Sequence, residues 1–104
     1  MERALLTVDE LNARVEACTT AGRVFVVFFT ASWCPLCVPA LECLRTAAEE
    51  VRAEVALVDV AEADELVQEY NVSRLPVSIV FAHARAIARV VGHDAPAIRH
   101  ATTA

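Results

Sequence analysis

The chain has 104 residues, enough for one compact domain and too few for two domains that would each bury a useful core. Its net charge of −5, with nine arginines and no lysine, argues against a nucleic-acid backbone as a partner. Hydrophobic residues make up 57% of the chain, yet the uncharged stretch Val24 to Ala40 contains two prolines and polar residues and falls short of a membrane-spanning helix.

Asp9 and Glu10 follow so soon after the start that no apolar signal-peptide core can form. The expectation is a soluble, cytoplasmic protein in a reducing setting, where close cysteines are more often catalytic or metal-binding than structural. In chain order, Ala4 to Val8 reads as a short strand. Asp9 can cap a helix that runs to about Ala21, with Leu11, Val15 and Cys18 on one face and Gly22 as its stop. Arg23 to Thr30 is too apolar and β-branched for a one-sided sheet, so it reads as a central strand. Cys34 to Val51 has helical periodicity through Leu41, Leu44, Ala48 and Val51, and Glu54 to Val60 returns to strand, completing a βαβ unit.

Ala61 to Tyr70 reads as a helix with Asp64 and Glu65 near its start and Asn71 as its stop. Val77 to Phe81 and Ala86 to Val91 are separated by four residues, which predicts an antiparallel hairpin without the usual Asn-Gly signal. Asp94 to His100 reads as a short final helix, and Ala101 to Ala104 as a frayed end. No linker, repeat or low-complexity stretch divides the chain, so residues 1–104 read as a single domain.

The chemistry concentrates in Trp33-Cys34-Pro35-Leu36-Cys37, between the central strand and the helix that follows. A cysteine opening a helix faces unsatisfied N–H groups and the positive end of the macrodipole, which favours its thiolate. A second thiol with two residues between is close enough to close a ring. Structural pairs and half metal sites share the CxxC spacing; the preceding strand and Trp33 favour the redox reading.

The chain resembles the thioredoxin family along nearly its whole length. The resemblance rests on Phe29-Thr30-Ala31-Ser32-Trp33-Cys34-Pro35-Leu36-Cys37, on Val58-Asp59-Val60, on Tyr70-Asn71-Val72-Ser73-Arg74-Leu75-Pro76, and on Gly92 at the family's customary distance from Pro76. It implies an α/β thioredoxin fold, a central mixed sheet of about five strands flanked by about four helices. It further implies Cys34 as nucleophile, Cys37 as resolving thiol, and Trp33, Pro35, Leu36 and a cis Pro76 as their support. Leu75, Gly92 and His93 would border the substrate groove. The implied reaction is thiol–disulfide exchange on protein disulfides, with a reductase as electron donor, no bound cofactor, no metal, and a monomeric protein as the working unit.

The chain departs from the family's pattern in three places. Pro35-Leu36 stands where most thioredoxins have Gly-Pro, an order closer to the Pro-Tyr of glutaredoxins or the Pro-Pro of tryparedoxins. Phe28 aligns with the family's buried aspartate and Leu57 with its lysine partner, which exchanges an acid–base couple for apolar groups. Pro39, close behind Cys37, either bends the helix or falls in a loose first turn.

His93 could tune a nearby thiolate or supply a proton relay, or be a solvated loop histidine. His83 and His100 read as surface residues. Cys18 and Cys43 read as small core hydrophobes, with a regulatory second disulfide as the sharper alternative. The leading functional expectation is a protein-disulfide oxidoreductase. Its alternatives are a thioredoxin-fold binding or adaptor module with weak redox activity, and a zinc or iron–sulfur site bridged between two chains through Cys34 and Cys37.

Overall fold

A computed structural model describes residues 3–103. The elements run β1 (Arg3–Ala4), α1 (Val8–Thr20), β2 (Phe25–Thr30), α2 (Cys37–Val51), β3 (Glu54–Asp59), α3 (Asp64–Glu69), β4 (Val77–Ala82), β5 (Arg85–Val91) and α4 (Ala95–Thr102). The strands form one sheet in the order β1-β3-β2-β4-β5. β1, β3 and β2 are parallel, whereas β4 and β5 are antiparallel to their neighbours. This is the mixed five-stranded sheet with four helices that the resemblance implies.

β2 lies at the centre because both of its faces are covered. Phe25, Val27 and Phe29 enter one buried layer with Leu11 and Val15 of α1 and Leu66 of α3. Val26 and Phe28 enter the opposite layer with Leu44 of α2 and Ile98 of α4. A strand buried on both faces reads as a continuous apolar run, which is the pattern of these five residues. Full burial of each large side chain stabilises the fold by about 1.5–3 kcal/mol. The loop that carries the cysteine pair therefore springs from the most firmly anchored strand.

Three helices stop through one backbone device. The N–H groups of Arg23, Ala53 and Val72 bond back to the carbonyls of Cys18, Ala48 and Val67 at 2.8, 2.8 and 3.0 Å. The residue before each, Gly22, Arg52 and Asn71, has φ of 70°, 58° and 50°. This left-handed turn satisfies the last helical carbonyls, and glycine and asparagine adopt it most readily. Gly22 and Asn71 were legible as stops for that reason, whereas Arg52 carries no such signal.

Several boundaries differ from expectation. Thr7, not Asp9, caps α1: its hydroxyl accepts the Glu10 N–H at 3.1 Å, and Glu10 Oε1 accepts the Thr7 N–H at 3.0 Å. Asp9 instead sits in the first turn, where its charge suits the helix dipole. β1 is shorter than Ala4 to Val8 because Thr7 and Val8 are taken up by that cap. α3 begins only at Asp64, after Ala61 and Glu62 turn around the Asp59 side chain and carbonyl.

The β4–β5 loop has two residues rather than four, because His83 and Ala84 both take left-handed φ, 55° and 65°, and so make the tight turn usually built from Asn-Gly. Ala101 and Thr102 are helical and buried rather than frayed, and α4 packs Ala101 into the layer on the α2 side of the sheet. Ala104 lies outside the described residues.

Candidate active site

The cysteine loop begins where β2 ends at Thr30. Two successive turns, Cys34 N–H to the Ala31 carbonyl and Cys37 N–H to the Cys34 carbonyl, both 3.2 Å, wind the chain from strand into helix. α2 itself begins at Cys37, three residues later than expected, with Leu36 as its cap in helical backbone geometry and no side-chain capping bond. Its first intrahelical bond runs from Ala40 N–H to the Leu36 carbonyl at 3.2 Å. Pro39 is thus the third residue of the helix, where a missing N–H leaves no bond unmade, so it falls in the first turn.

Cys34 and Cys37 are joined in a disulfide with their Cα atoms 5.4 Å apart. Their surroundings differ sharply. Cys37 is 4% exposed and packs with Val26, Phe28, Ala40 and Leu44 in the layer beneath α2. Cys34 is half-buried and lines an open cavity of about 520 Å³. Trp33, Pro35 and Leu36 share that side of the cavity, and Val60, Val67, Val72, Ser73 and Leu75 form the other. Among the described residues no charged side chain lines it. Trp33, Leu36 and Val38 are 65%, 52% and 65% exposed, an unusual concentration of large apolar surface around one pair of cysteines.

The Leu75–Pro76 peptide is cis. Leu75 touches both core layers and lines the cavity, whereas Pro76 is buried behind it. The Pro76 carbonyl accepts the Gly92 N–H at 2.7 Å, so the end of β5 is tied to this peptide. Gly92 has φ of 84°, a conformation that glycine adopts without strain. Neither Gly92 nor His93 lines the cavity, and His93 is exposed.

Phe28 is fully buried opposite Leu57 on β3 and Ser78 on β4. Ser78, only 2% exposed, was not anticipated as a polar group in this strand. Val60, Val67, Val72 and Ser73 were also missed as cavity residues. They come from three segments of chain, and only the tertiary fold brings them together.

The remaining cysteines lie elsewhere. Cys18 is buried, and its thiol donates to Glu54 Oε2 at 3.2 Å. Arg14 clasps the same carboxylate through Nε at 3.1 Å and Nη2 at 2.5 Å. Burial, followed by the bond to Glu54, pushes the Cys18 thiol up to about 11. Burial would raise the Glu54 carboxyl, but the bonds from Arg14 and Cys18 outweigh it and hold the group below its ordinary value. Cys43 is half-buried rather than core, with its sulfur 4.0 Å from the Ala95 carbonyl. His83 sits exposed at the hairpin tip and His100 exposed on α4. Among the described residues no three His, Cys, Asp or Glu side chains are grouped to hold a metal ion, and no helix is long and apolar enough to cross a membrane.

Comparison with known proteins gives a consistent picture. The family model described as thioredoxin matches residues 3–103. A thioredoxin H-type from Oryza sativa subsp. indica is 33% identical over 85 residues, 81% of this chain and 70% of that protein. The TPR repeat-containing thioredoxin TDX of Oryza sativa subsp. japonica is 32% identical over 92 residues, 88% of this chain, but the chain spans only 29% of that protein's length. Among solved structures, Fasciola hepatica thioredoxin superposes with a TM-score of 0.86 at 27% identity, covering 97% of this chain and 96% of that one.

Proposed function

This chain belongs to the thioredoxin family, a family of thiol–disulfide oxidoreductases, and from that premise we propose that it reduces protein disulfides by dithiol exchange through Cys34 and Cys37. The observation that carries the proposal is the asymmetry of the pair: Cys34 borders the open cavity while Cys37 is buried behind it. A target disulfide can reach only one of the two sulfurs.

In the reduced protein the Cys34 thiolate attacks one sulfur of the target disulfide. A Cys34–target bond forms, the target S–S bond breaks, and the departing target thiolate takes a proton from water. Cys37 then loses its proton and attacks the Cys34 sulfur, which releases the second target thiolate and leaves the Cys34–Cys37 disulfide. Two electrons pass to the target. A separate reductase returns two electrons to the pair, in keeping with a reducing compartment such as the cytoplasm.

Trp33, Pro35 and Leu36 present apolar surface around Cys34, and Leu75, with cis Pro76 behind it, forms the facing wall. A substrate of this shape is an extended polypeptide with apolar residues beside its cystine. Gly92 acts through its bond to Pro76, and His93 is assigned no proton-transfer step. With Phe28 and Leu57 in place of an acid–base couple, the proton of Cys37 leaves through water.

The test is insulin reduction driven by dithiothreitol, with the Cys34→Ser, Cys37→Ser double variant alongside. The wild-type protein is expected to precipitate insulin well before the variant does. Equal rates would refute the catalytic reading and leave the apolar groove as a binding surface.

A further inference from the structure

β5 and the glycine that follows it grip the cavity wall at two points. At the far end of the wall, Gly92 N–H bonds to the Pro76 carbonyl at 2.7 Å. At its beginning, the Arg89 guanidinium donates through Nη1 to the Tyr70 carbonyl at 2.5 Å and through Nη2 to the Asn71 carbonyl at 3.0 Å. Between these holds runs the segment that supplies Val72, Ser73 and Leu75 to the cavity.

The two carbonyls lie just past the last turn of α3. α3 is six residues long, carries Asp64 and Glu65 in its first turn, and has no basic residue in its last. Its carbonyl end bears the negative end of the helix dipole without a cation of its own. Arg89 sits on the edge strand opposite Ile79, whose side chain belongs to the α1 and α3 layer, so Arg89 projects toward α3. A planar guanidinium can bridge two adjacent carbonyls, which a lysine ammonium does less well. The Tyr70 ring is fixed independently against Phe29 and Phe81, with centroids 6.3 and 6.1 Å away. The peptide from which the wall departs is therefore held both by a half-buried ring and by a charged fork.

We infer that Arg89 is a positioning residue for the substrate groove, setting the placement of Val72 to Leu75 and hence affinity for a protein disulfide, while leaving the sulfur chemistry of Cys34 and Cys37 untouched. This rests on the disulfide-reductase reading above. Arg89 is remote in sequence from both the cysteine loop and the wall, and no motif marks it.

The experiment compares wild type with Arg89→Ala, Arg89→Lys and Arg89→Met, the last keeping the aliphatic stem should the alanine variant fold poorly. Arg89→Ala and Arg89→Met are expected to raise KM for insulin about three- to tenfold, with kcat and the rate on the small disulfide 5,5′-dithiobis(2-nitrobenzoate) changed less than twofold. Arg89→Lys recovers part of the loss. Amide exchange at Tyr70, Asn71 and Val72, whose N–H groups bond to Leu66, Gln68 and Val67, should accelerate in the variants while β2 stays protected.

An unchanged KM for insulin, or equal slowing on insulin and the small disulfide, overturns the assignment. Unchanged amide exchange overturns the grip itself. Failure of the wild-type protein to reduce insulin would instead overturn the reductase reading, and the exchange measurement still decides whether Arg89 holds the wall.

Discussion

Phe28 stands directly opposite Leu57 in the parallel β2–β3 ladder, and both side chains pack with the layer that buries Cys37. The position beneath the cysteine pair is thus filled by hydrocarbon. Introducing a carboxylate there by Phe28→Asp loses the packing of a fully buried ring and buries a group with no partner. The expected cost is about 4 kcal/mol or more, a large fraction of the stability of a small domain. Urea denaturation measures it, and adding Leu57→Lys should not restore the wild-type midpoint. A single variant within 1 kcal/mol of wild type would contradict this packing.

Gly92 holds φ of 84° where an added Cβ meets no atom within 4 Å. The cost of Gly92→Ala is therefore conformational rather than steric, about 1–2 kcal/mol. For a domain of this size that lowers the melting temperature by about 4–8 °C per kcal/mol. Calorimetry checks the value, and an unshifted melt would show that this backbone geometry is not maintained.

Ala84 makes the opposite case, since it holds φ of 65° in the hairpin turn without being glycine. Ala84→Gly should stabilise the protein by about 0.5–1 kcal/mol, because relief of left-handed strain exceeds the added entropy of the unfolded chain. The same denaturation measurement decides it, and a loss of stability would refute it.

Cys18 gives a pH dependence of definite sign. Its thiol is pushed up to about 11 in the folded protein, whereas in the unfolded chain it ionises near its ordinary value. Between those values the unfolded state releases the proton first, so stability falls as pH rises, by at most about 1.4 kcal/mol per pH unit. Below the ordinary thiol pKa the contribution is fully present. Cys18→Ala should flatten the decline measured by urea denaturation of the oxidised protein from pH 8 to 11, and an equal slope in both proteins would contradict the assignment.

The four thiols of the reduced protein should also separate in reactivity. Cys34 borders the cavity and Cys43 is half-buried, while Cys37 and Cys18 are each 4% exposed. Iodoacetamide labelling followed by mass spectrometry is expected to find Cys34 first, Cys43 next, and Cys18 last. In the oxidised protein only Cys43 should label readily. Rapid labelling of Cys18 would show that its contact with Glu54 opens easily.

The alternation of strand and helix, the central position of Phe25 to Phe29, the Gly22 and Asn71 stops and the placement of the cysteine pair were all legible in the chain. Each depends on local periodicity, backbone preference or motif spacing, and these are properties of neighbours in sequence. Tertiary structure alone decided that Pro39 fits the first turn of α2, that Ala101 and Thr102 are buried rather than frayed, and that Arg89 reaches the carbonyls of Tyr70 and Asn71. Burial and hydrogen bonding at those positions come from residues far apart in the chain, and no local pattern encodes a partner that only folding brings within bonding distance.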